Sequence, residues 1–423
     1  MQESKYNQYI PYEDGHLLFN SASLNLSFVD NEHLKKINDK RYCDGHETEM
    51  KDFLQERGFI VNTDHDELKE VINKYQKLRD GADKEFDICL VMNNRCNLQC
   101  VYCYQDHSKN TEITNEILGK IATTIKDEIV DAKKILIHFF GGEPTLSMSK
   151  IKYFVELIKQ HEISNVEYAI TTNGYAITKD KIEQLISDKI NTYQITIDGN
   201  PDIHNKQRIT KDGRGSYSII LSNIKLLLDA GAEVAVRINI TKNNYNNLDT
   251  LLTELKELKN NKGNGKISIA LNEAVDYSDI QDDNTFFRDR KEFAEHLLEV
   301  YKKLDEYGFP IPFPSRDSFC TMMSKNGFVI NPDGTFGQCS VSHGEALGHI
   351  NNGFKSVQDN NARLGTCATE REECKNCDAL PFCYGGCKLL RDMNKDSCSF
   401  FKYIIPGLMQ FHTKRKNNNA KTN

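Results

Sequence analysis

The stretch Cys96-Asn97-Leu98-Gln99-Cys100-Val101-Tyr102-Cys103 constrains this chain more than any other. Thiolates are soft ligands, and cysteines spaced x3 and x2 can face one point. Four cysteines close a [4Fe-4S] cluster, so three leave one iron open to another ligand. A zinc knuckle is the alternative for the same residues. The run Phe86-Asp87-Ile88-Cys89-Leu90-Val91-Met92 reads as a buried strand, so the cysteines sit on the loop at its C-terminal end. Barrels of alternating strands and helices place their chemistry there.

At 423 residues the chain is expected to form two or three domains. No apolar run approaches a membrane span, and the polar start Met1-Gln2-Glu3-Ser4-Lys5 is unlike a signal peptide, so a cytoplasmic protein with no membrane partner is expected. In a reducing compartment, clustered cysteines among the 13 present favour metal over disulfides. The net charge of -7, with basic residues interspersed among acids, offers no footprint for nucleic acid.

Residues 1–84 lack the clustered cysteines and read as a separate unit. His16 to Asn20 and Leu24 to Val29 suggest a hairpin. Helices follow, one capped by Asp30, one from Glu49 stopped by Gly58, and a third capped by Thr63 or Asp64. From 85 to 315, strands at 86–92, 134–140, 166–172, 191–197, 232–240 and 266–271 alternate with amphipathic runs, the pattern of a parallel sheet wrapped by helices. Six such units are too few for a closed eight-stranded barrel.

The ends of these strands carry short motifs: Gly141-Gly142-Glu143-Pro144, Thr171-Thr172-Asn173-Gly174 and Thr196-Ile197-Asp198-Gly199, with Arg208 twelve residues after Thr196. With the CxxxCxxC stretch and its aromatic Tyr102, they resemble the radical SAM superfamily. The resemblance implies an open partial (β/α)6 barrel of the α/β class. It also implies that Cys96, Cys100 and Cys103 hold a [4Fe-4S] cluster whose open iron binds S-adenosylmethionine. Tyr102, Gly141, Gly142, Glu143, Thr196 and Arg208 would bind that cofactor, Glu143 at its amino group and Arg208 at its carboxylate. Arg237 is a further candidate polar contact. Residues 1–84 then look like the winged-helix-like leader-recognition domain that precedes the barrel in many peptide maturases.

A second constellation lies at 316–405: Cys320, Gly334, Cys339, then Cys374-x2-Cys377-x5-Cys383-x3-Cys387, and Cys398. This spacing indicates metal. It resembles the SPASM domain, which implies two auxiliary [4Fe-4S] clusters and three clusters in all. One would use Cys374, Cys377, Cys383 and Cys398; the other would use Cys320, Cys339 and Cys387. Some family members add a cysteine at the position of Asn326, so here the second cluster either has an open iron or is closed by Cys367. Cys43 and Cys89 read as buried small hydrophobes. Residues 406–423 read as a C-terminal tail, with the run Lys414 to Asn419 as a disordered end.

The resemblance implies an enzyme that forms a 5'-deoxyadenosyl radical and modifies a ribosomally made precursor peptide bearing a leader, with a flavodoxin- or ferredoxin-type electron donor. A Cys thioether crosslink is the expected product. The alternatives are a sulfatase-type maturase that forms formylglycine and a non-catalytic metal-stapled binding or electron-transfer protein. Against the maturase, the family's acid after the second SPASM cysteine is replaced by Ser340. No general acid or base is identified.

Overall fold

The computed structural model describes residues 1–422 apart from 41–47, 82–83, 109, 262, 278–281, 283, 314–319, 342–344, 359, 361–370 and 394–397. Cys43 and Cys367 therefore lie outside the described residues. The N-terminal segment begins with β1 (Gln2–Glu3) and an antiparallel meander of β2 (Asn7–Tyr12), β3 (Gly15–Asn20) and β4 (Asn25–Asp30). The hairpin is thus present, extended by β2, whose Pro11 is tolerated because the strand is at the sheet edge. Asp30 caps α1 (Asn31–Asn38), accepting from the His33 N–H. After α2 (Thr48–Glu56), Gly58 turns the chain at φ +76°, and β5 (Ile60–Val61) pairs with β1. The cap of α3 (Glu67–Arg79) is Asp66, which accepts from the Lys69 N–H at 3.0 Å, and neither Thr63 nor Asp64.

This segment has its own apolar cluster of Leu18, Val29, Ile37, Leu54, Phe59 and Ile60, and it also packs against the rest of the chain. Ile10, Tyr12, Leu17 and Phe19 are buried in the same core as the barrel. Tyr6, Val71 and Tyr75 pack with Met323, Leu380 and Tyr384 of the C-terminal region. Separating the segment from the rest would return this shared apolar surface to water.

All six expected parallel strands form: β6 (Glu85–Val91), β8 (Lys134–Phe140), β9 (Val166–Thr172), β10 (Thr192–Thr196), β12 (Glu233–Ile240) and β13 (Lys266–Glu273). They lie side by side in chain order, joined by helices such as α4 (Asn115–Glu128) and α5 (Met148–Gln160). Alternate residues divide between two faces, as the period of a strand requires. Ile88, Leu90, Ile137, Phe139, Ile170, Ile195, Val236 and Ile238 belong to the apolar core. Asp87, His138, Thr171, Gln194, Thr196, Arg237 and Asn239 line a cavity on the other face.

Two pairings were not legible in the sequence. Within the cysteine stretch, β7 (Leu98–Cys100) pairs antiparallel with β11 (Arg208–Thr210), setting Arg208 opposite Cys100. At the free edge of β6, β14 (Gly327–Ile330) adds in parallel and continues into antiparallel β15 (Thr335–Gly337) and β16 (Gly348–His349). The cysteine-rich region is thereby built onto the barrel sheet.

The expected tail, with its disordered end, is instead part of a helix, Phe401–Thr422. Ile404, Ile405, Leu408 and Met409 are buried in the main core, and Arg415 pairs with Asp305 of the helix Arg290–Glu306 at 2.9 Å. The sequence reading was drawn by the polar run 414–419 and passed over the apolar turn before it. Leu408→Ala should lower stability by about 2–5 kcal/mol through the cavity it opens. A thermal midpoint indistinguishable from wild type would show that this helix does not pack.

Candidate functional site

The loops at the C-terminal ends of the barrel strands surround a cavity of about 350 Å³. Cys96, Cys100, Tyr102 and Cys103 line it, with Gly141, Gly142, Thr196 and Arg208. The chain thus brings together all but one of the residues expected at the cofactor site.

The exception is Glu143. Its side chain is fully buried, and Oε1 accepts from the Thr145 N–H (2.9 Å), the Thr145 hydroxyl (2.6 Å) and the Thr172 hydroxyl (2.7 Å). Oε2 accepts from the Asn173 N–H at 2.7 Å. Three donors crowd Oε1 while Oε2 keeps one acceptor site, so Glu143 ties β8's loop to β9's from outside the cavity lining. Asn173, held in this way, donates Nδ2 toward Cys96 Sγ at 3.6 Å and to Asn97 Oδ1 at 2.8 Å.

The two glycines also serve the cysteine loop. Gly142 N–H donates to Asn93 O at 2.9 Å, and Glu143 N–H to Arg95 O at 2.7 Å. A Cβ on Gly142 would lie 2.2 Å from Arg95 O, and one on Gly141, at φ +134°, 2.4 Å from Asn93 O. Only glycine lets these two backbone segments meet.

A buried network fixes the opposite side. The Tyr102 hydroxyl donates to Asp198 Oδ2 and accepts from Arg208 Nη1 (2.8 Å) and Asn239 Nδ2 (3.2 Å). Asp198 Oδ1 accepts from the Asn239 N–H at 2.8 Å. Burial pushes the Asp198 carboxyl up, while the Arg208 guanidinium and the Tyr102 hydroxyl pull it back. Burial also works against the Arg208 charge, but Cys100, Tyr102 and Asp198 around it hold it firmly charged. Arg208 Nε is buried without a hydrogen-bond partner. An orphaned donor on a charged guanidinium fits an anionic ligand such as a carboxylate.

The three loop thiols differ. Burial raises Cys96 and pushes Cys100 up to about 12. Burial also opposes the Cys103 thiolate, yet its hydrogen bond with His107 brings it below the ordinary thiol value. His107 Nε2 lies 3.3 Å from Cys103 Sγ, and Nδ1 donates to Asn94 O at 2.8 Å. His107 and the edge-on pair Tyr104 and Tyr277 were missed in the sequence; only His107, four residues past Cys103, had a position that could have signalled it.

The C-terminal cysteines sort into two groups. Burial raises the Cys320 and Cys339 thiols, Cys320 to about 11, and the neighbouring Cys387 adds to both. Cys374, Cys377, Cys383 and Cys398 form the other group. A second cavity of about 330 Å³ lies between the groups and shares Glu273, Val275, Tyr277 and Met322 with the first. No three His, Cys, Asp or Glu among the described residues are gathered closely enough for a single metal ion. A four-iron cube spreads its thiolates wider than one ion does. Cys89 is buried as expected, on the cavity side of β6. Asn326 turns its side chain away to Gly81, donating to the carbonyl at 3.1 Å. No helix among the described residues is long and apolar enough to cross a membrane.

The strand ends thus bring three thiols and a guanidinium, hydrogen-bonded to Tyr102 and without a direct ion pair among the described residues, around one cavity. Residues 90–258 match the Radical SAM superfamily, and the chain carries a radical SAM domain. It is 24% identical over 472 aligned positions to the radical SAM cyclopropyl synthase TigE of Paramaledivibacter caminithermalis, spanning 96% of this chain and 95% of that protein. It is 25% identical to the cysteine-type anaerobic sulfatase-maturating enzyme of Clostridium novyi, over 71% of this chain and 87% of that one. Two solved structures share the fold. Native anSMEcpe with bound AdoMet and Cp18Cys peptide superposes at TM-score 0.62 with 21% identity, covering 80% of this chain and 99% of that one. SuiB of Streptococcus suis bound to its precursor peptide SuiA superposes at TM-score 0.54 with 16% identity, covering 94% and 97%.

The glycine contacts generate a paired prediction. Gly142→Ala should destabilise the protein by about 1–3 kcal/mol, because only backbone can yield. Gly119→Ala, in α4 with nothing within 4 Å of the new Cβ, should instead stabilise by about 0.5–1 kcal/mol. Thermal unfolding of both variants decides; equal midpoints would mean that Gly142 does not clamp the loop.

Proposed function

We propose that this protein is a radical SAM peptide maturase that installs a Cys thioether in a ribosomally made precursor peptide. The observation that carries the reading is the cysteine loop strapped by β7 and β11 beside Arg208, whose buried Nε lacks an acceptor. Cys96, Cys100 and Cys103 would hold the cluster, Arg208 the cofactor's carboxylate, and the Gly141-Gly142 backbone and Thr196 the remaining wall. When bound, cluster and S-adenosylmethionine together supply a strong hydrogen-abstracting radical. The chain's own share is positioning: Tyr102 and Asp198 hold Arg208, and Glu143 holds Asn173 against the cysteine loop.

The two C-terminal groups, Cys374/Cys377/Cys383/Cys398 and Cys320/Cys339/Cys387, would hold two further [4Fe-4S] clusters. With Asn326 turned to Gly81, the second group has three described thiols and room for one from the substrate. The N-terminal meander, with its outer strands each paired on one side, would bind the leader by strand addition. A flavodoxin- or ferredoxin-type protein would deliver electrons. Peptide bound to anSMEcpe and SuiB supports a peptide substrate.

Two other products have support. Similarity to TigE along nearly the whole chain favours ring closure between carbons. Similarity to sulfatase maturases favours formylglycine, but Ser340, on the cavity wall, is no acid–base group at neutral pH. Mass spectrometry of a Cys-bearing precursor after turnover, with and without iodoacetamide, separates the three. The thioether reading predicts loss of two hydrogens and of one alkylatable thiol. Loss of two hydrogens with every thiol still alkylatable, or an aldehyde, would replace it.

A further inference from the structure

Two guanidinium groups open on the main cavity, and among the described residues neither makes a direct ion pair; the buried Asp198 carboxyl acts on both from a distance. Other arginines in this part of the fold are paired: Arg95 with Glu112 at 2.7 Å, Arg288 with Asp276 at 3.2 Å, and Arg290 with Glu273. Among the described residues, Arg208 bonds the Tyr102 hydroxyl, and Arg237 bonds Asn239 Oδ1 through Nε at 2.8 Å.

Hydrogen-bond polarity locks Arg237 in place. Arginine only donates, so Asn239 must turn Oδ1 to Arg237 Nε and Nδ2 to the Tyr102 hydroxyl. That hydroxyl already accepts from Arg208, so its own proton goes to Asp198, which accepts it. Each polarity in the chain follows from the last, and both arginines hang from one buried scaffold. With Nε committed, the terminal nitrogens of Arg237 are what it offers the cavity it lines. They form the flat fork that matches a carboxylate.

Direct pairing does not meet this need among the described residues: Glu273 is engaged by Arg290, and Asp198, which feels the Arg237 charge, reaches it through Asn239. Arg208 is already assigned to the cofactor's carboxylate. We infer that Arg237 recognises a second carboxylate, carried by the peptide substrate: an Asp or Glu side chain, or a terminal carboxylate, seated beside the residue being modified. The inference rests on the peptide-maturase reading and adds a selection rule to it.

The test uses oxidised, air-free holoenzyme saturated with S-adenosylmethionine, which binds without being cleaved. Three probes are titrated: N-acetyl-Gly-Glu-Cys-amide, N-acetyl-Gly-Gln-Cys-amide and N-acetyl-Gly-Gln-Cys with a free C-terminus. At least one carboxylate probe should bind about tenfold more tightly than the neutral amide, and which one does so identifies the source of the carboxylate. In Arg237→Gln the preference should fall to within about twofold, and Arg237→Lys should restore part of it. The affinity for S-adenosylmethionine should drop about tenfold in Arg208→Gln and change less than about twofold in Arg237→Gln. Equal binding of the three probes to wild type, including no measurable binding of any, would overturn the inference. So would a preference that survives Arg237→Gln, or cofactor affinity lost equally in both glutamine variants. Failure of wild type to bind S-adenosylmethionine would instead remove the reading beneath it.

Discussion

The Tyr102 hydroxyl is the point on which the site depends. It lies in the cysteine loop, yet its partners come from the ends of β10 and β12 and from β11: Asp198, Asn239 and Arg208. A buried carboxylate and a buried guanidinium are each costly alone, and a shared hydroxyl whose two lone pairs and one proton are all used makes them compatible. The consequence is geometric. The thiol loop, the guanidinium and the barrel ends cannot shift independently, because β7 and β11 bind the same loop through backbone as well.

The clamp on the other side works through backbone. Gly141 and Gly142 bring β8's loop against Asn93 and Arg95, and Glu143 extends the link to Thr172 and Asn173. The glycines and the acid that the motif suggests for ligand contact are thus used first to fix the loop that carries Cys96. A motif in sequence records which residues are required without recording what each one touches.

The legible part of this fold was its periodic part. Six strands were readable because each turns apolar residues toward the shared core at alternate positions, a period that stands out in sequence. The illegible parts were short or governed by distant partners. The strands β7 and β11 have three residues each, and their pairing joins positions about a hundred apart. β14 owes its place to the free edge of β6. The C-terminal helix was hidden by its polar end, and the packing of the N-terminal segment, beyond its own cluster, against the barrel was hidden by a change of composition. At the site, cysteine spacing located the thiols, but the sequence had no means of assigning Glu143 to its four internal donors.

The central claim is that Cys96, Cys100 and Cys103 hold the cluster that acts on S-adenosylmethionine. Its most direct test is reductive cleavage of the cofactor by anaerobically reconstituted protein, comparing wild type with the variant in which all three cysteines are alanine. Wild type should release 5'-deoxyadenosine, and the variant should release none while keeping the iron of its C-terminal cysteines. If the variant still forms 5'-deoxyadenosine, or if wild type takes up stoichiometric zinc and no iron, the account is wrong.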